Sequence, residues 1–228
     1  MILFDLDGTL IDSVPDLADA VNHTLRVLGQ KTFTQEQIRT WVGNGAQILI
    51  QRALCGNSTI DEHLDPARSA EALDIFLTFY AQNLCNATTP YPDVISTLHS
   101  LKSAKYRLAI ITNKPFDFVA PILKGLEIDG LFELILGGDS LEKKKPDPLP
   151  LLHACEKLNI PIGCCLMVGD SKNDILAAKT AGMQSIGVTY GYNYDEPINS
   201  YAPDLVIEKF SEILRLLNIK NYEKTDHD

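Results

Sequence analysis

Phe4-Asp5-Leu6-Asp7-Gly8-Thr9-Leu10 follows a short apolar run that begins at Ile2. Consecutive β-forming residues without a polar break predict a strand that is buried on both faces. Asp5 and Asp7 come directly after it, and in an extended chain residues i and i+2 point to the same side. Two close carboxylates repel each other unless a cation or a shared proton compensates. Because Asp and Gly are also common in turns, an ordinary polar turn is an equal alternative for this segment taken alone.

The length and composition of the chain limit the classes of protein to which it can belong. Its 228 residues exceed one average domain and fall short of two, which favours a main domain with an inserted piece. A hydrophobic fraction of 45% and a charged fraction of 22% are typical of a folded globular protein. The formal net charge of -10 argues against a nucleic-acid or anionic-membrane binder. A small anionic substrate is not excluded, since it needs only a local positive site.

Cysteine usage and apolar runs bear on the cellular compartment. The five cysteines are an odd set without metal-ligand spacing, and Cys164 and Cys165 are adjacent, so reduced thiols in a cytosolic protein fit best. No apolar run approaches the roughly 18 residues of a membrane span. Asp5 and Asp7 interrupt the N-terminal apolar run that an export signal would need. We therefore expect a cytoplasmic protein, a monomer or weak homodimer, with neither nucleic acid nor a membrane as partner.

The first part of the chain after the initial strand is helical in pattern. Four segments before Pro90 show helical spacing, and Ser13 and Asp65 are typical helix-capping residues. No strand pattern interrupts these segments. The sequence therefore predicts a small helical bundle inserted into the chain at residues 14–89.

From Pro90 onwards, strands and helices alternate, with strands predicted at residues 108–111 and 184–188 among others. This alternation is typical of a mostly parallel sheet that helices cover on its faces. We predict an α/β fold in which residues 1–13 and 90–220 form a Rossmann-like core domain. A polar tail is expected at residues 221–228.

Polar side chains recur where the predicted strands of the core end. In a parallel sheet these ends can converge on one edge, where open α/β sheets bind ligands. Carboxylate oxygens suit a hard divalent cation such as Mg²⁺, which usually keeps several waters beside one or two carboxylates. A hydroxyl, backbone N–H groups and an ammonium suit a phosphoryl group. The side chains concerned are Asp5, Asp7, Thr112, Asn113, Lys145, Asp170 and Asp174.

Four short motifs carry these side chains in a characteristic order. They are F-D-L-D-G-T-L at residues 4–10, I-T-N at 111–113, K-P-D-P at 145–148 and V-G-D-S-K-N-D at 168–174. In this order they resemble the four motifs of the haloacid dehalogenase-like phosphohydrolase superfamily. The resemblance implies the fold of that superfamily, with the helical insertion as its mobile α-helical cap domain.

Longer stretches resemble the bacterial phosphoglycolate phosphatases within this superfamily. They are T-W-V-G-N-G-A at 40–46, T-N-K-P at 112–115, G-G-D at 137–139 with K-K-P-D-P at 144–148, and T-Y-G-Y-N-Y at 189–194. The resemblance implies hydrolysis of 2-phosphoglycolate to glycolate and phosphate through an aspartyl-phosphate. The alternatives are another small-molecule phosphatase or a sugar phosphomutase of the same superfamily. An alternative from a different class is a phosphate-binding regulatory protein without turnover.

The resemblance also implies roles for the carboxylates. Asp5 would be the nucleophile, and Asp7 would protonate the leaving oxygen and then activate the hydrolytic water. Dehalogenase relatives lack this second Asp, so Asp7 favours phosphate chemistry. Mg²⁺ would be held by Asp5, the backbone carbonyl of Asp7 and Asp170.

Further residues would hold the phosphoryl group. By the same resemblance, Thr112 and the backbone N–H of Asn113 would bind phosphate oxygens, and Lys145 would oppose the charge of nucleophile and phosphate. Taken alone, Thr112 and Asn113 also fit a strand-to-loop turn. The lysine run 143–145 also fits a solvated face, from which only the following Pro146 distinguishes Lys145.

Three residues are expected to support the metal ligands rather than bind the metal themselves. They are Ser171, Asp174 and Thr9. Ser171 also fits a simple helix N-cap, and Asp174 also fits an acid favoured by the helix dipole in a first turn. For Thr9, a turn hydrogen bond is the simplest interpretation.

Substrate choice is expected to lie in the helical insertion, because the sheet site handles only the phosphoryl group. The loop Gly43-Asn44-Gly45 is predicted to face the site, with backbone N–H groups that could bind a small anion. Arg52, on the following helix, is a candidate partner for a substrate carboxylate, and solvated surface is the alternative for it.

Overall fold

The centre of the molecule is a six-stranded sheet, seen in a computed structural model that describes residues 1–219. The predicted polar tail at 221–228 lies outside the described residues. In chain order the strands are β1 (Ile2–Phe4), β2 (Ile11–Asp12), β3 (Thr89–Pro90), β4 (Leu108–Ile111), β5 (Leu134–Leu136), β6 (Leu166–Gly169), β7 (Gln184–Val188) and β8 (Leu205–Ile207).

The order of strands across this sheet is β5-β4-β1-β6-β7-β8, and every neighbouring pair is parallel. The first strand of the chain therefore lies in the interior of the sheet, between β4 and β6. This arrangement confirms the predicted α/β class with a mostly parallel sheet. Helices cover the two faces, as parallel strands that are buried on both sides require.

The α-helices within residues 1–219 follow the predicted alternation closely. They are α1 (Val14–Val27), α2 (Gln35–Arg39), α3 (Ala46–Cys55), α4 (Pro66–Gln82), α5 (Val94–Ser103), α6 (Phe116–Gly125), α7 (Leu149–Leu158), α8 (Lys172–Ala181) and α9 (Glu212–Leu216).

Strand β1 shows why a short apolar run can organise the core. Its three side chains are at most 1% exposed. Ile2 and Phe4 point to the face covered by α5, α6 and α9, whereas Leu3 points to the face covered by α7 and α8. The alternation of side chains along a strand thus puts β1 into both apolar layers, and the strand is buried on both faces as predicted.

Helices α1 to α4 pack around an apolar core of their own. This second core includes Val21, Leu25, Trp41 and Phe76. It lies between β2 and β3 in the chain, so the helices interrupt the sheet-forming part, and we propose to treat residues 14–89 as a cap domain.

The two connections between sheet and helices are joined to each other. Strands β2 and β3 form a two-stranded antiparallel pair, with Ile11 opposite Pro90. Beside it, the buried carboxylate of Asp16 accepts hydrogen bonds from the Thr88 N–H at 2.8 Å and the Thr88 hydroxyl at 2.6 Å. The sequence gives no sign of this pair, because two-residue strands are too short to show alternation.

Two observations bear on the surroundings of the protein. Within the part of the chain that the structure describes, no helix combines the length and apolar character needed to cross a bilayer. All five cysteines carry free thiols. The cytoplasmic location stays a prediction.

Candidate active site

The candidate site lies at the ends of three neighbouring strands, β1, β4 and β6. Phe4, the last residue of β1, lies opposite Ile110 of β4 and Val168 of β6. The next residue, Asp5, continues the ladder by donating its N–H to the Val168 carbonyl at 3.0 Å. Because the strands are parallel, the polar residues that follow all three emerge at the same edge, as the sequence predicts.

Asp5 is held close to a buried ammonium. Its Oδ1 atom lies 2.9 Å from Nζ of Lys145, yet within the described residues it accepts no hydrogen bond of normal geometry. Burial raises the pKa of Asp5 to about 7; the Lys145 charge opposes this rise and the Asp174 charge adds to it. Because Oδ1 of Asp5 has no hydrogen-bond partner among the described residues, this oxygen is available to a ligand.

Lys145 is 2% exposed and lies between two carboxylates. Besides Asp5, its ammonium donates to Oδ1 of Asp174 at 2.6 Å. Burial lowers the pKa of Lys145, but the charges of Asp174 and Asp5 outweigh that effect and the net shift is upward. The side chain is thus a fixed cation rather than part of a solvated lysine face.

Asp174 is anchored at the start of α8. Its Oδ2 atom accepts from the N–H of Ser171 at 3.0 Å and from the Ser171 hydroxyl at 2.9 Å. Ser171 is the residue that precedes α8, so it lies at the N-cap position and also fixes the orientation of Asp174. Ser171 is therefore the N-cap residue of α8, and its support of the metal ligands stays a prediction.

Asp170 completes a group of buried acids. One carboxylate oxygen each from Asp5, Asp170 and Asp174 lies within 4.8 Å of the others. The Thr9 hydroxyl donates to Oδ1 of Asp170 at 2.9 Å, and the Tyr192 N–H donates to Oδ2 at 2.7 Å. Burial, followed by the charges of Asp5 and Asp174, raises the pKa of Asp170 well above its usual range. Crowded, desolvated acids of this kind are stabilised by a cation.

Gly8 allows the chain to pass close to this acid group. Its φ angle is +88°, and a Cβ atom there would lie in collision with Oδ2 of Asp170, at 2.3 Å. The first motif therefore needs glycine at this position for two reasons: glycine tolerates the positive φ angle, and it has no Cβ atom to collide with Asp170.

Asp7 faces different partners from Asp5. Its Oδ1 atom accepts from the Ser13 hydroxyl at 2.5 Å and from Nζ of Lys114 at 3.1 Å. Its carboxylate is thus not part of the acid group, and binding of a metal by its backbone carbonyl stays a prediction. The acid group contains the Asp174 carboxylate in its place.

Lys114 was not singled out from the sequence, although it belongs to the T-N-K-P stretch. It is buried and also donates to the hydroxyl of Tyr80, on α4, at 2.7 Å. Burial lowers the pKa of Lys114, but Asp7 and Tyr80 outweigh this and the net shift is upward. Burial raises the pKa of Tyr80 to about 12, so its hydroxyl keeps its proton.

A cleft lies between the strand ends and the helical insertion. It contains about 470 Å³ of empty space, part of which is open solvent. Asp5, Asp7, Thr112 and Asn113 line it from the sheet side. The other lining residues are Leu17, Val42, Gly43, Gly45, Ala46, Leu49, Phe76, Tyr80, Lys114, Pro115 and Phe118.

Thr112 and Asn113 form part of the floor of this cleft. The Thr112 hydroxyl accepts from the N–H of Lys114 at 3.2 Å. The Asn113 side-chain amide donates to the carbonyls of Gly43 at 3.0 Å and Lys145 at 2.9 Å. Among residues 1–219, no acceptor is found for the backbone N–H of Asn113. The resemblance to the superfamily implies that this donor binds a phosphate oxygen.

The loop Gly43-Asn44-Gly45 faces the sheet across the cleft, where it was expected. Besides the bond from Asn113, the Gly43 carbonyl accepts from the Asn173 side chain at 3.0 Å, and the Asn44 carbonyl accepts from Lys144 Nζ at 2.8 Å. The loop is therefore seated on the sheet side through its carbonyl groups.

The structure does not bring Arg52 to the cleft. Its guanidinium donates to the backbone carbonyls of Trp41 at 2.7 Å and Ser58 at 2.9 Å. It also lies over the ring of Tyr194, 5.4 Å from the centroid. These contacts hold Arg52 in a structural role, so it is not part of the proposed substrate site.

Comparison with known proteins agrees with this geometry. Residues 2–188 match the family model described as haloacid dehalogenase-like hydrolase. The chain is 56% identical to a phosphoglycolate phosphatase of Colwellia psychrerythraea over 94% of this chain and 95% of that protein. It is 46% identical to a phosphoglycolate phosphatase of Psychrobacter arcticus, with 95% of each covered.

A solved structure shares the whole architecture. A crystal structure described as a predicted phosphoglycolate phosphatase from Haemophilus somnus superposes with a TM-score of 0.88 at 41% identity, covering 95% of this chain and 97% of that one. The family model, the full-length relatives and the common fold all lead to one conclusion: the chain belongs to the haloacid dehalogenase-like hydrolase family.

Proposed function

We propose that the protein is a phosphatase that hydrolyses 2-phosphoglycolate to glycolate and inorganic phosphate through an aspartyl-phosphate on Asp5. The observation that carries the chemistry is the arrangement of Asp5 and Asp7 in one cleft, with Lys145 2.9 Å from Asp5 and Asp170 in the adjoining acid group. The choice of substrate is supported by the names of relatives that match the chain over nearly its full length.

In the first step, a carboxylate oxygen of Asp5 forms a bond to phosphorus and the bond from phosphorus to the ester oxygen breaks. The Asp5 Oδ1 atom is suited to this because, within the described residues, it accepts no hydrogen bond of normal geometry although Lys145 Nζ lies 2.9 Å away. Lys145 opposes the repulsion between the carboxylate and the anionic phosphoryl group. Splitting the reaction through a covalent intermediate replaces one difficult displacement by two easier ones.

Asp7 handles the proton in both steps. It donates a proton to the leaving alkoxide, which departs as glycolate. It then removes a proton from a water molecule whose oxygen attacks phosphorus, and the bond from phosphorus to Asp5 breaks to release phosphate. Hydrogen bonds from Ser13 and Lys114 hold the Asp7 carboxylate in a defined position for this exchange.

Donors for the phosphoryl oxygens lie in the same cleft as Asp5. We assign the Thr112 hydroxyl and the backbone N–H of Asn113 to them, because both residues line the cleft. By comparison with oxyanion-stabilising donors, loss of one such donor raises the barrier by about 3–4 kcal/mol.

The acid group fits a hard divalent cation, since its donors are carboxylate oxygens and, among the described residues, Lys145 forms ion pairs with only two of its three acids, Asp5 and Asp174. Asp5, Asp170 and the Asp7 carbonyl would hold Mg²⁺, which would neutralise charge between the nucleophile and the phosphoryl group. Asp174 and Thr9 support this set through Lys145 and Asp170 respectively.

A panel of phosphate esters tests the proposal. Release of inorganic phosphate is measured with Mg²⁺ and with a chelator, on 2-phosphoglycolate and on several sugar phosphates. We expect the highest kcat/KM on 2-phosphoglycolate and loss of activity with the chelator. Similar kcat/KM values on many sugar phosphates would contradict the proposed specificity for 2-phosphoglycolate. Isomerisation of a sugar phosphate would indicate a mutase, and no turnover of any ester would indicate a binding protein.

A further inference from the structure

Lys114 is the only residue with a cationic side chain among the described residues that line the cleft. Its side chain is 3% exposed, and its ammonium lies between Asp7 of the sheet edge and Tyr80 of α4. An ammonium has three N–H donors. Tyr80 takes one of them, and the two oxygens of Asp7, at 3.1 Å and 3.4 Å, can share a second as a bifurcated bond, which leaves the third for an oxygen of a molecule in the cleft.

The other cations nearby are held by different partners. Lys145 is bound by Asp5 and Asp174, and Lys144 donates to the Asn44 carbonyl. Arg52 binds backbone carbonyls within the insertion. A second anionic group on a substrate, besides its phosphoryl group, would therefore find its counter-charge at Lys114.

The side of the cleft formed by the insertion is mostly apolar. Its side chains include Leu17, Val42, Leu49 and Phe76, and Phe118 adds to it from α6. Sugar hydroxyls placed against such a surface would lose water without gaining hydrogen bonds, which is unfavourable. The cleft therefore suits a short substrate with charge at both ends better than a polyol.

The position of Lys114 relative to Asp7 sets the length of that substrate. In the proposed reaction the ester oxygen lies within hydrogen-bond distance of Asp7, roughly 2.7 Å. The Lys114 Nζ atom is 3.1 Å from Oδ1 of Asp7. A carboxylate separated from the ester oxygen by a single carbon would thus reach the ammonium.

We propose that Lys114 binds the substrate carboxylate and selects small phosphate esters that carry a carboxylate on the ester carbon. This inference rests on the proposed function and deepens it by assigning its specificity to one side chain. The charges are consistent, because the ammonium is opposite in charge to the substrate carboxylate and its third N–H donor is open to the cleft. Lys114 can then pair with the substrate carboxylate.

The test compares 2-phosphoglycolate with 2-hydroxyethyl phosphate, in which a neutral hydroxymethyl group replaces the carboxylate. The measured quantity is the ratio of the two kcat/KM values in wild type, Lys114→Met and Lys114→Gln. A hydrogen bond to a charged group corresponds to about a 10- to 100-fold effect, so we expect the ratio to fall by that factor in both variants. If Lys114→Met does not fold, the same comparison with wild type is made with Lys114→Gln alone.

Two control variants separate charge recognition from general damage. Lys143→Met makes the same change at an exposed lysine and should leave the ratio and both rates unchanged. Tyr80→Phe removes one partner of Lys114 but keeps the ammonium, so it should largely keep the ratio.

The inference is overturned if the Lys114 variants lower both kcat/KM values by the same factor, since Lys114 would then act only through Asp7. Failure of the proposed function has a different signature, because wild type itself would show no preference for 2-phosphoglycolate.

Discussion

Replacing Lys145 by methionine removes the buried cation of the site while keeping most of its volume. The side chain of Lys145 is 1% exposed and that of Asp174 is fully buried. The Nζ atom of Lys145 lies 2.6 Å from Oδ1 of Asp174 and 2.9 Å from Oδ1 of Asp5. The substitution leaves these carboxylates next to Asp170 without a positive charge from the protein.

The size of the effect follows from this burial. Breaking a buried ion pair by removing one partner costs about 3–5 kcal/mol, because an uncompensated charge remains. Asp5 can relieve part of the cost by taking a proton, since its pKa is already raised to about 7. We therefore expect Lys145→Met to lower the free energy of unfolding of the metal-free protein by about 4 kcal/mol above neutral pH.

Catalysis should fall as well. A charge-stabilising donor at a phosphoryl group is comparable with an oxyanion-hole donor, so kcat on 2-phosphoglycolate should drop about 100- to 1,000-fold. Urea unfolding monitored by circular dichroism gives the stability, and phosphate release gives kcat.

Lys143→Met is the matched control for Lys145→Met. Its side chain is 60% exposed and pairs with Asp147 at 3.2 Å, so the stability should change by no more than about 1 kcal/mol. If Lys145→Met were as mild as this control in both assays, the argument from buried charge would be refuted.

Three further predictions concern other parts of the structure. Asp16→Ala, which removes the acceptor between the two connections, should lower the free energy of unfolding by about 3 kcal/mol in urea titrations, whereas the exposed Asp19→Ala should change it little. Gly8→Ala should lower the Tm and weaken Mg²⁺ binding in calorimetry more than Gly29→Ala, because both have positive φ but only Gly8 would place Cβ 2.3 Å from a buried carboxylate oxygen. Burial raises the pKa of Asp5 from 3.8 to about 7, so its contribution to the stability of the metal-free protein is present below 3.8 and lost as pH rises through about 7; Asp5→Asn should abolish this part of the pH dependence of Tm.

The fold could be predicted well because its signals are local. The uninterrupted apolar run Leu108–Ile111 is a strand with those bounds, and the helix-capping residue Asp65 comes directly before α4. The short pair of β2 and β3 was missed because its formation depends on residues 11 and 90 meeting across the whole helical insertion.

The convergence of the site residues could be predicted only in outline. A parallel sheet places strand ends on one edge, but the order of its strands is not written in any local pattern. The observed order puts β4 and β6 on either side of β1, and this brings Thr112 and Asp170 to Asp5. The motif resemblance supplied that information indirectly.

Lys114 and Arg52 show where sequence reasoning reached its limit. Lys114 meets Asp7 and Tyr80, which are 107 and 34 residues away, so its role depends on the closed arrangement of sheet and insertion. Arg52 instead binds carbonyls 11 and 6 residues away within the insertion. A cation in a sequence does not reveal which of these environments it will find.

The central claim is that Asp5 is the nucleophile of a phosphatase. The most direct test is the initial rate of phosphate release from 2-phosphoglycolate, with Mg²⁺, by folded Asp5→Asn protein compared with wild type. We expect the rate to fall by at least about 1,000-fold, because the amide cannot form the covalent intermediate. A rate within about tenfold of wild type would contradict the account.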